Sequence, residues 1–300
     1  MRILLTGVTG QLGTDLLPLL EQQGEVIALG RAECDLSSPE AIRKLVAEVR
    51  PSVIVNPAAY TAVNDAESNS DLCYAINSTA PGTLAEEARK LDAIFVHYST
   101  DYVFDGSKVG AYTEADEPAP LNVYGASKLA GERAIAAAGG RWLVLRTSWV
   151  YGANGSNFLL TMRRLARERE ELKIVDDQVG GPTSSIQLAR ATAQILQQCC
   201  SKKGAAFPSG VYHATAGGSV SWCGFARAII AALGKTERFK VERIAGIRSD
   251  EYPTPSRRPL NSVLGNDKFE GAFGFRLENW ETGLAEVIRE IHSRESQAVK

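Results

Sequence analysis

The stretch Arg2-Ile3-Leu4-Leu5-Thr6-Gly7-Val8-Thr9-Gly10-Gln11-Leu12-Gly13 decides the fold. Its first part is a short apolar strand, and it runs directly into a glycine turn from which an amphipathic helix continues to about Gln23. Strand, glycine turn and helix in that order are the context in which a glycine motif binds a dinucleotide. Gly7 suits the tight turn, Gly10 lets the backbone approach a pyrophosphate, and Gly13 lets the helix pack close to the sheet. The helix N-terminus then meets the phosphates. An ordinary glycine-rich strand-to-helix turn is the plainer reading. The spacing is Gly-x-x-Gly-x-x-Gly, not the more familiar Gly-x-Gly-x-x-Gly.

The alternation continues downstream. A second strand, Glu25 to Leu29, ends at Gly30-Arg31. In such folds the residue after this strand meets the adenosine ribose, where an acid selects a free 2'-hydroxyl and an arginine accommodates a 2'-phosphate. Arg31 therefore points to NADPH, against the simpler reading of a solvated surface arginine, and Asp35 and Leu36 follow on the adenine side. A helix begins near Ser38-Pro39-Glu40, with Ser38 as cap and Pro39 in the first turn, and ends before Pro51. The third strand, Ser52 to Asn56, leads into the small residues Pro57-Ala58-Ala59. Helical sequence from Asp71 to Leu91 precedes a fourth strand, Ala93 to Tyr98, which ends in Ser99-Thr100-Asp101. A hydroxyl at the carboxyl end of a strand is where an open α/β sheet presents ligand-binding groups. Thr100 is thus a candidate to hydrogen-bond a carbonyl, or else a turn cap. His97, inside the strand, reads as core; His213 and His292 lack partners nearby in sequence.

Tyr124 and Lys128 carry the candidate chemistry. If Ala126 to Ala138 is helical, as its Ala, Leu, Lys and Glu content favours, the two side chains lie four apart on one face. A cation there favours the phenolate and moves the phenol toward proton donation at neutral pH. That spacing also arises by chance on amphipathic helices. Next, Arg141 to Gly152 reads as a long strand leaving the nucleotide half. Up to this point strand alternates with helix, which implies a doubly wound parallel sheet with helices on both faces.

Beyond residue 150 the alternation loosens. Helix is expected over Asn157–Glu170, Gln187–Cys200, Trp222–Leu233 and Trp280–His292, with strands at Leu172–Val175 and Gly210–Ala214. The expected division is an NAD(P)-binding domain over 1–150 that also receives about 171–205. The remainder of 151–300 then forms a smaller, interleaved α+β domain for the substrate.

Composition excludes several classes. With 300 residues and 44% hydrophobic content the chain can bury a large core, and a formal charge of -2 gives no general field for nucleic acid or anionic membrane. No apolar run approaches the ~20 residues of a membrane span, and the N-terminus enters a strand without a signal-peptide pattern. The five cysteines are odd in number and lack metal-ligand spacing, which fits reduced thiols in a cytoplasm.

Taken together, Gly7-x-x-Gly10-x-x-Gly13, Ser99-Thr100-Asp101-Tyr102-Val103-Phe104-Asp105-Gly106 and Tyr124-x-x-x-Lys128 resemble the extended short-chain dehydrogenase/reductase family, with its Rossmann-like sheet. The strings Asn56–Val63, Pro120–Gly125, Arg146–Tyr151 and Tyr252–Pro259 narrow the likeness, over almost the full length, to the family's reductases of dTDP-4-dehydro-L-rhamnose. The resemblance implies hydride transfer from NAD(P)H to the C4 ketone, giving dTDP-L-rhamnose for cell-surface polysaccharide. It implies Tyr124 as proton donor, Lys128 on the nicotinamide ribose and Thr100 on the carbonyl. It also implies Gly10, Gln11, Leu12, Asp35, Ala58, Ala59, Tyr60 and Asn77 on the cofactor side, and Thr61, Val63, Ser99 and Trp149 on the sugar. Asn157, Phe158, Gln178 and Arg257 or Arg258 are implied at the nucleotide end. Packing alone would equally explain Trp149, and a solvated basic pair the two arginines.

Some relatives hold Mg²⁺ between subunits through acids on the first helix and on the helix near Ser185–Ala193. Asp15 matches the first, but Ile186-Gln187-Leu188-Ala189-Arg190 has no carboxylate, so no metal is expected and the chain is a monomer or homodimer. A dehydratase of the same fold would need a glutamate where Tyr102 stands. The alternatives that remain are a nucleotide-sugar epimerase and, from another class, an NADP-binding regulatory subunit of the methionine adenosyltransferase type.

Overall fold

The computed structural model describes residues 1–201 and 206–298. In chain order the elements are β1 (Arg2–Thr6), α1 (Gln11–Glu21), β2 (Glu25–Leu29), α2 (Pro39–Val49), β3 (Val53–Asn56), α3 (Val63–Ala66), α4 (Ser70–Tyr74), α5 (Ala80–Lys90), β4 (Ile94–Thr100), α6 (Val123–Ala138) and β5 (Arg141–Thr147). They continue with β6 (Val150–Tyr151), α7 (Phe158–Glu168), β7 (Glu171–Val175), β8 (Val179–Gly180), β9 (Thr183–Ser184), α8 (Ser185–Ser201), β10 (Gly210–His213), β11 (Val220–Ser221), α9 (Trp222–Leu233), β12 (Arg243–Ile247), α10 (Asp267–Phe273) and α11 (Trp280–Ala298).

A six-stranded parallel sheet, ordered β10-β5-β4-β3-β1-β2, organises the molecule. Its central strands β3 and β4 are buried on both faces, which is why they read as continuous apolar runs rather than alternating ones. On one face α1 and α8 pack Leu12, Leu16, Leu20, Leu188, Ile195 and Leu196 against Ile3, Leu5 and Val96. On the other, α2 and α5 cover Leu4, Ile54 and Phe95 with Ile42, Val46 and Leu84. The strand order reverses between β1 and β3, and in an open α/β sheet the crevice at the carboxyl ends of such neighbours is the ligand site. A second core, around Tyr151, Leu159, Phe225, Trp280 and Val287, joins α7, α9 and α11 beside that crevice.

Several elements differ from the sequence expectations: β7, expected in the 171–205 segment joined to the nucleotide domain, pairs with β12 in a separate sheet, and β10, expected in the smaller domain, joins the six-stranded sheet. The helical stretch from Asp71 is interrupted by a π-turn over Ala75–Thr79, which separates α4 from α5. Helix α6 starts at Val123, not Ala126, because Asn122 caps it: its Oδ1 accepts the Gly125 N–H at 2.8 Å. The strand expected over Arg141–Gly152 is broken after Thr147, since Trp149 takes the left-handed conformation at φ 46° and turns the chain into β6, which pairs with β9.

Candidate active site

The crevice begins at the glycine turn. Gly7 has φ +59°, and a Cβ there would stand 3.0 Å from Ala58, so the backbones after β1 and β3 pass in close contact. A Cβ on Gly13 would lie 2.2 Å from the Gly7 carbonyl oxygen, which makes glycine the only residue that lets α1 sit this near the turn. Gly10 occupies the cap position of α1 and brings no side chain to its first turn. The open N–H groups of that turn form an anion-binding surface, and this cradle suits a dinucleotide pyrophosphate.

The flanking segments are braced from behind. Asn77, in the π-turn, accepts the Tyr60 N–H at 2.8 Å and donates to the Tyr60 carbonyl at 3.0 Å and to Ser127 Oγ at 3.1 Å. With its amide committed to protein partners and fully buried, Asn77 acts through the Ala58–Ala59–Tyr60 segment. Asn157 has a similar use. It caps α7 by accepting the Leu160 N–H, and its Nδ2 donates to Gln11 Oε1 at 2.9 Å, tying the second core to the glycine turn. Arg31 and Asp35 are exposed beyond β2. The Asp35 carboxylate accepts the Ser37 hydroxyl and N–H at 2.7 and 2.9 Å, which lowers its pKa. Leu36 packs partly into the core under α2.

At the end of β4 the reacting groups come together. Thr100 is buried; its hydroxyl donates to Asp101 Oδ1 at 2.9 Å, accepts the Tyr102 N–H at 3.2 Å, and lies near enough to the Tyr124 phenol to act on its pKa. The Ser99 hydroxyl is buried with no partner among the described residues. Lys128 is 1% exposed, and its Nζ donates to the Tyr98 carbonyl at 2.6 Å and reaches His97 Nε2 at 3.0 Å. Burial lowers the Lys128 pKa to about 8.

The expected effect of Lys128 on Tyr124 is not what the geometry gives. Burial raises the phenol's pKa, with the Asp101 charge adding to it against the Thr100 hydrogen bond, while the ammonium is turned toward Tyr98 and His97. Tyr124 is therefore held as a protonated donor. His97 is in the core as expected, but it is a contact of Lys128 rather than mere packing.

Asp101 escaped the sequence reading. Its buried carboxyl has a pKa raised to about 6 by desolvation, opposed by hydroxyls of Ser262, Thr100 and Ser148. The signal available was its place after Ser-Thr at a strand end. Tyr102, beside it, meets Tyr124 edge-on at 5.8 Å.

Trp149 stacks on Trp222 with ring centroids 3.5 Å apart, and Trp222 in turn meets Phe158 at 4.5 Å. Thr61 is exposed and Val63 opens α3. Gln178 is buried and donates to Ser249 Oγ at 3.0 Å. The Arg257 carbonyl accepts the Asn122 side-chain N–H at 2.8 Å, which pins the proline-rich loop to the cap of α6. Arg258 Nε is buried with no partner among the described residues; burial pushes the Tyr102 phenol up to about 12, and the Arg258 charge opposes that shift.

Away from the crevice, Asp15 accepts the Ser185 hydroxyl at 2.6 Å and has the Arg294 guanidinium 3.8 Å away, while Arg190 pairs with Glu286 at 2.6 Å. Arginine cations beside the carboxylates do not suit a divalent ion, which takes a set of oxygen ligands.

Residues 1–293 match the family described as RmlD substrate binding domain. The chain belongs to that family. A dTDP-4-dehydrorhamnose reductase of Burkholderia thailandensis is 47% identical over 98% of this chain and 100% of its own length. The Escherichia coli K12 protein of the same name is 40% identical over 97% of this chain and 98% of its own length. Among solved structures, the dTDP-4-dehydrorhamnose reductase of Bacillus anthracis in complex with NADP superposes with a TM-score of 0.89 at 33% identity, covering 96% of this chain and 99% of that one. A UDP-glucose 4-epimerase of Thermotoga maritima, at 19% identity and a TM-score of 0.78, shares the Rossmann-type fold.

Proposed function

We propose that this RmlD-family chain reduces the C4 ketone of dTDP-4-dehydro-L-rhamnose to dTDP-L-rhamnose, with NADPH as donor and NADH as a lesser alternative. The observation that carries the reading is that Thr100 and Tyr124 lie together at the carboxyl end of β4, with Lys128 Nζ on the Tyr98 carbonyl of the same strand, beside a glycine turn that suits a pyrophosphate. Bound NADPH supplies the hydride. Tyr124 gives its proton to the new alkoxide, Thr100 orients the carbonyl oxygen, and Lys128 holds the nicotinamide ribose. Ketone, hydride and proton together make the alcohol, and Tyr124 is reprotonated from solvent.

The same reading assigns further roles. Gly7, Gly10, Gln11, Leu12 and Gly13 hold the pyrophosphate side, Arg31 the 2'-phosphate and Asp35, Leu36, Ala58, Ala59 and Tyr60 the adenosine side. Thr61, Val63, Ser99 and Trp149 face the sugar, and Phe158, Gln178, Arg257 and Arg258 the dTDP end. On this division the six-stranded sheet carries the cofactor and the second core carries the nucleotide sugar. No helix among the described residues is long and apolar enough to cross a membrane. We place the enzyme in the cytoplasm, as a monomer or homodimer, without nucleic-acid or membrane partners.

The test is loss of reduced-nicotinamide absorbance when the protein meets NADPH and dTDP-4-dehydro-L-rhamnose. Stoichiometric oxidation with dTDP-L-rhamnose appearing is expected. No oxidation, with cofactor retained, would overturn the assignment in favour of an epimerase or a regulatory binding protein.

A further inference from the structure

A line of buried polar groups runs behind the reacting lysine, from α6 across the sheet. Lys128 Nζ lies 3.0 Å from His97 Nε2 on β4, and His97 Nδ1 lies 3.1 Å from the main-chain carbonyl of Asn56 on β3. The Asn56 side-chain oxygen accepts the Thr6 hydroxyl at 2.5 Å, at the last residue of β1 before the glycine turn. All are sealed from solvent: His97 and Asn56 are 0% exposed, Lys128 1% and Thr6 2%.

Asn56 Nδ2 also lies 3.1 Å from His97 Nδ1, so the main-chain carbonyl and the side-chain amide of Asn56 compete for that nitrogen, and the charge on Lys128 decides between them. An ammonium only donates, so His97 Nε2 must accept from it, and the ring's single proton must sit on Nδ1, where the Asn56 carbonyl receives it. Burial and the neighbouring ammonium both depress the ring's pKa well below the ordinary histidine value, so the imidazole is neutral at working pH. A buried Lys128 has three N–H bonds to satisfy. Tyr98 takes one at 2.6 Å and His97 a second. One is left for the cofactor side.

We infer that His97 is a positioning residue for the reduction: fixed as the Nδ1–H tautomer by Asn56, it accepts from Lys128 and holds the ammonium charged and aimed at the crevice. The inference rests on the reductase reading of Tyr124 and Lys128. The other groups facing Lys128 do not substitute for His97. Glu132, one turn along α6, spends both carboxylate oxygens on Arg146, and Cys73 of α4 is a thiol raised by burial and engaged with Ser127. Tyr124 and Asp101 lie toward the reacting side, bridged by Thr100.

Two measurements test it. In the first, His97→Phe removes the acceptor and His97→Gln restores one at similar reach, with far-UV circular dichroism and thermal midpoint confirming that each is folded. In His97→Phe, kcat should fall roughly tenfold to a hundredfold, as expected when a catalytic group loses its aim. The alkaline limb of its pH profile should move down by about one unit or more, since an unmet ammonium sheds its proton more easily. KM for the sugar should change little, and His97→Gln should recover most of both effects. A folded His97→Phe with wild-type kcat and limb, or a His97→Gln as impaired as Phe, overturns the inference.

The second measurement needs no turnover. In ¹⁵N-histidine spectra of the full wild-type chain, His97 should show a protonated Nδ1 and an unprotonated Nε2 from pH 6 to 8. An Nε2–H tautomer, or a ring that titrates in that range, overturns it. Failure of the reductase reading alone would leave this tautomer intact, so the two failures are distinguishable.

Discussion

At the residue scale the site separates proton donor from charge. Burial keeps Tyr124 protonated while Lys128 titrates near 8, so the alkaline fall in kcat belongs to the lysine: activity is lost as pH rises through about 8. A pH profile of kcat checks this, and a limb above 10 would return it to the phenol. Tyr124→Phe should cost roughly a hundredfold or more in kcat, the usual worth of a positioned acid, and leave the dissociation constant for NADPH nearly unchanged. Fluorescence titration beside steady-state rates separates the two effects. Arg31→Ala, at an exposed position beyond β2, should weaken NADPH more than NADH. Equal affinities before and after would make Arg31 a bystander. The Tyr124–Lys128 spacing was legible because four residues on a helix is a local relation. The roles of His97 and Asp101 were not, because β4 and α6 bring them to the site from far along the chain.

At the element scale, α6 is fixed to the sheet by a buried ion pair. Both Arg146 guanidinium contacts to Glu132 are hydrogen bonds, at 2.9 and 2.7 Å, and the side chains are 5% and 4% exposed. Glu132→Gln leaves a guanidinium buried without its counter-charge, which should destabilise the fold by about 3–5 kcal/mol in urea unfolding. A loss below about 1 kcal/mol would mean that water or Gln itself satisfies Arg146. The first strand, glycine turn and helix were readable because each obeys a local rule. The late edges were less so: Asn122 starts α6 early by capping it, and the π-turn at Ala75–Thr79 exists where Asn77 braces Tyr60 from within the fold.

At the scale of the whole molecule, buried neutral histidines set the acid limit. Burial lowers His213 to about 3, with Arg146 adding to the effect, and His97 is depressed as well. An unfolded histidine takes a proton below about 6.5, so the stability these two contribute is whole above that value and is lost as pH falls from there toward 3. Asp101 works the other way, since a carboxyl raised to about 6 favours the folded state on the acid side. Asp15, also raised by burial, joins Asp101, while the lowered carboxyls of Asp116, Asp177 and Glu237 side with the two rings; together they predict a falling melting temperature between pH 6.5 and 4, and a shallower fall in His213→Gln. An unchanged slope in that variant would remove His213 as the cause. The sequence by itself determined the strand and helix alternation, the glycine turn, the spacing of Tyr124 and Lys128 and the family, because periodicity, cap chemistry and short motifs are properties of neighbouring residues. Only the tertiary structure decided that burial raises the Tyr124 phenol, that His97 backs Lys128, that Asn77 is tied to Tyr60 and Asn157 to Gln11, and that Trp149 stacks on Trp222. Those depend on desolvation and on contacts between distant segments, and neither exists until the sheet has closed around them.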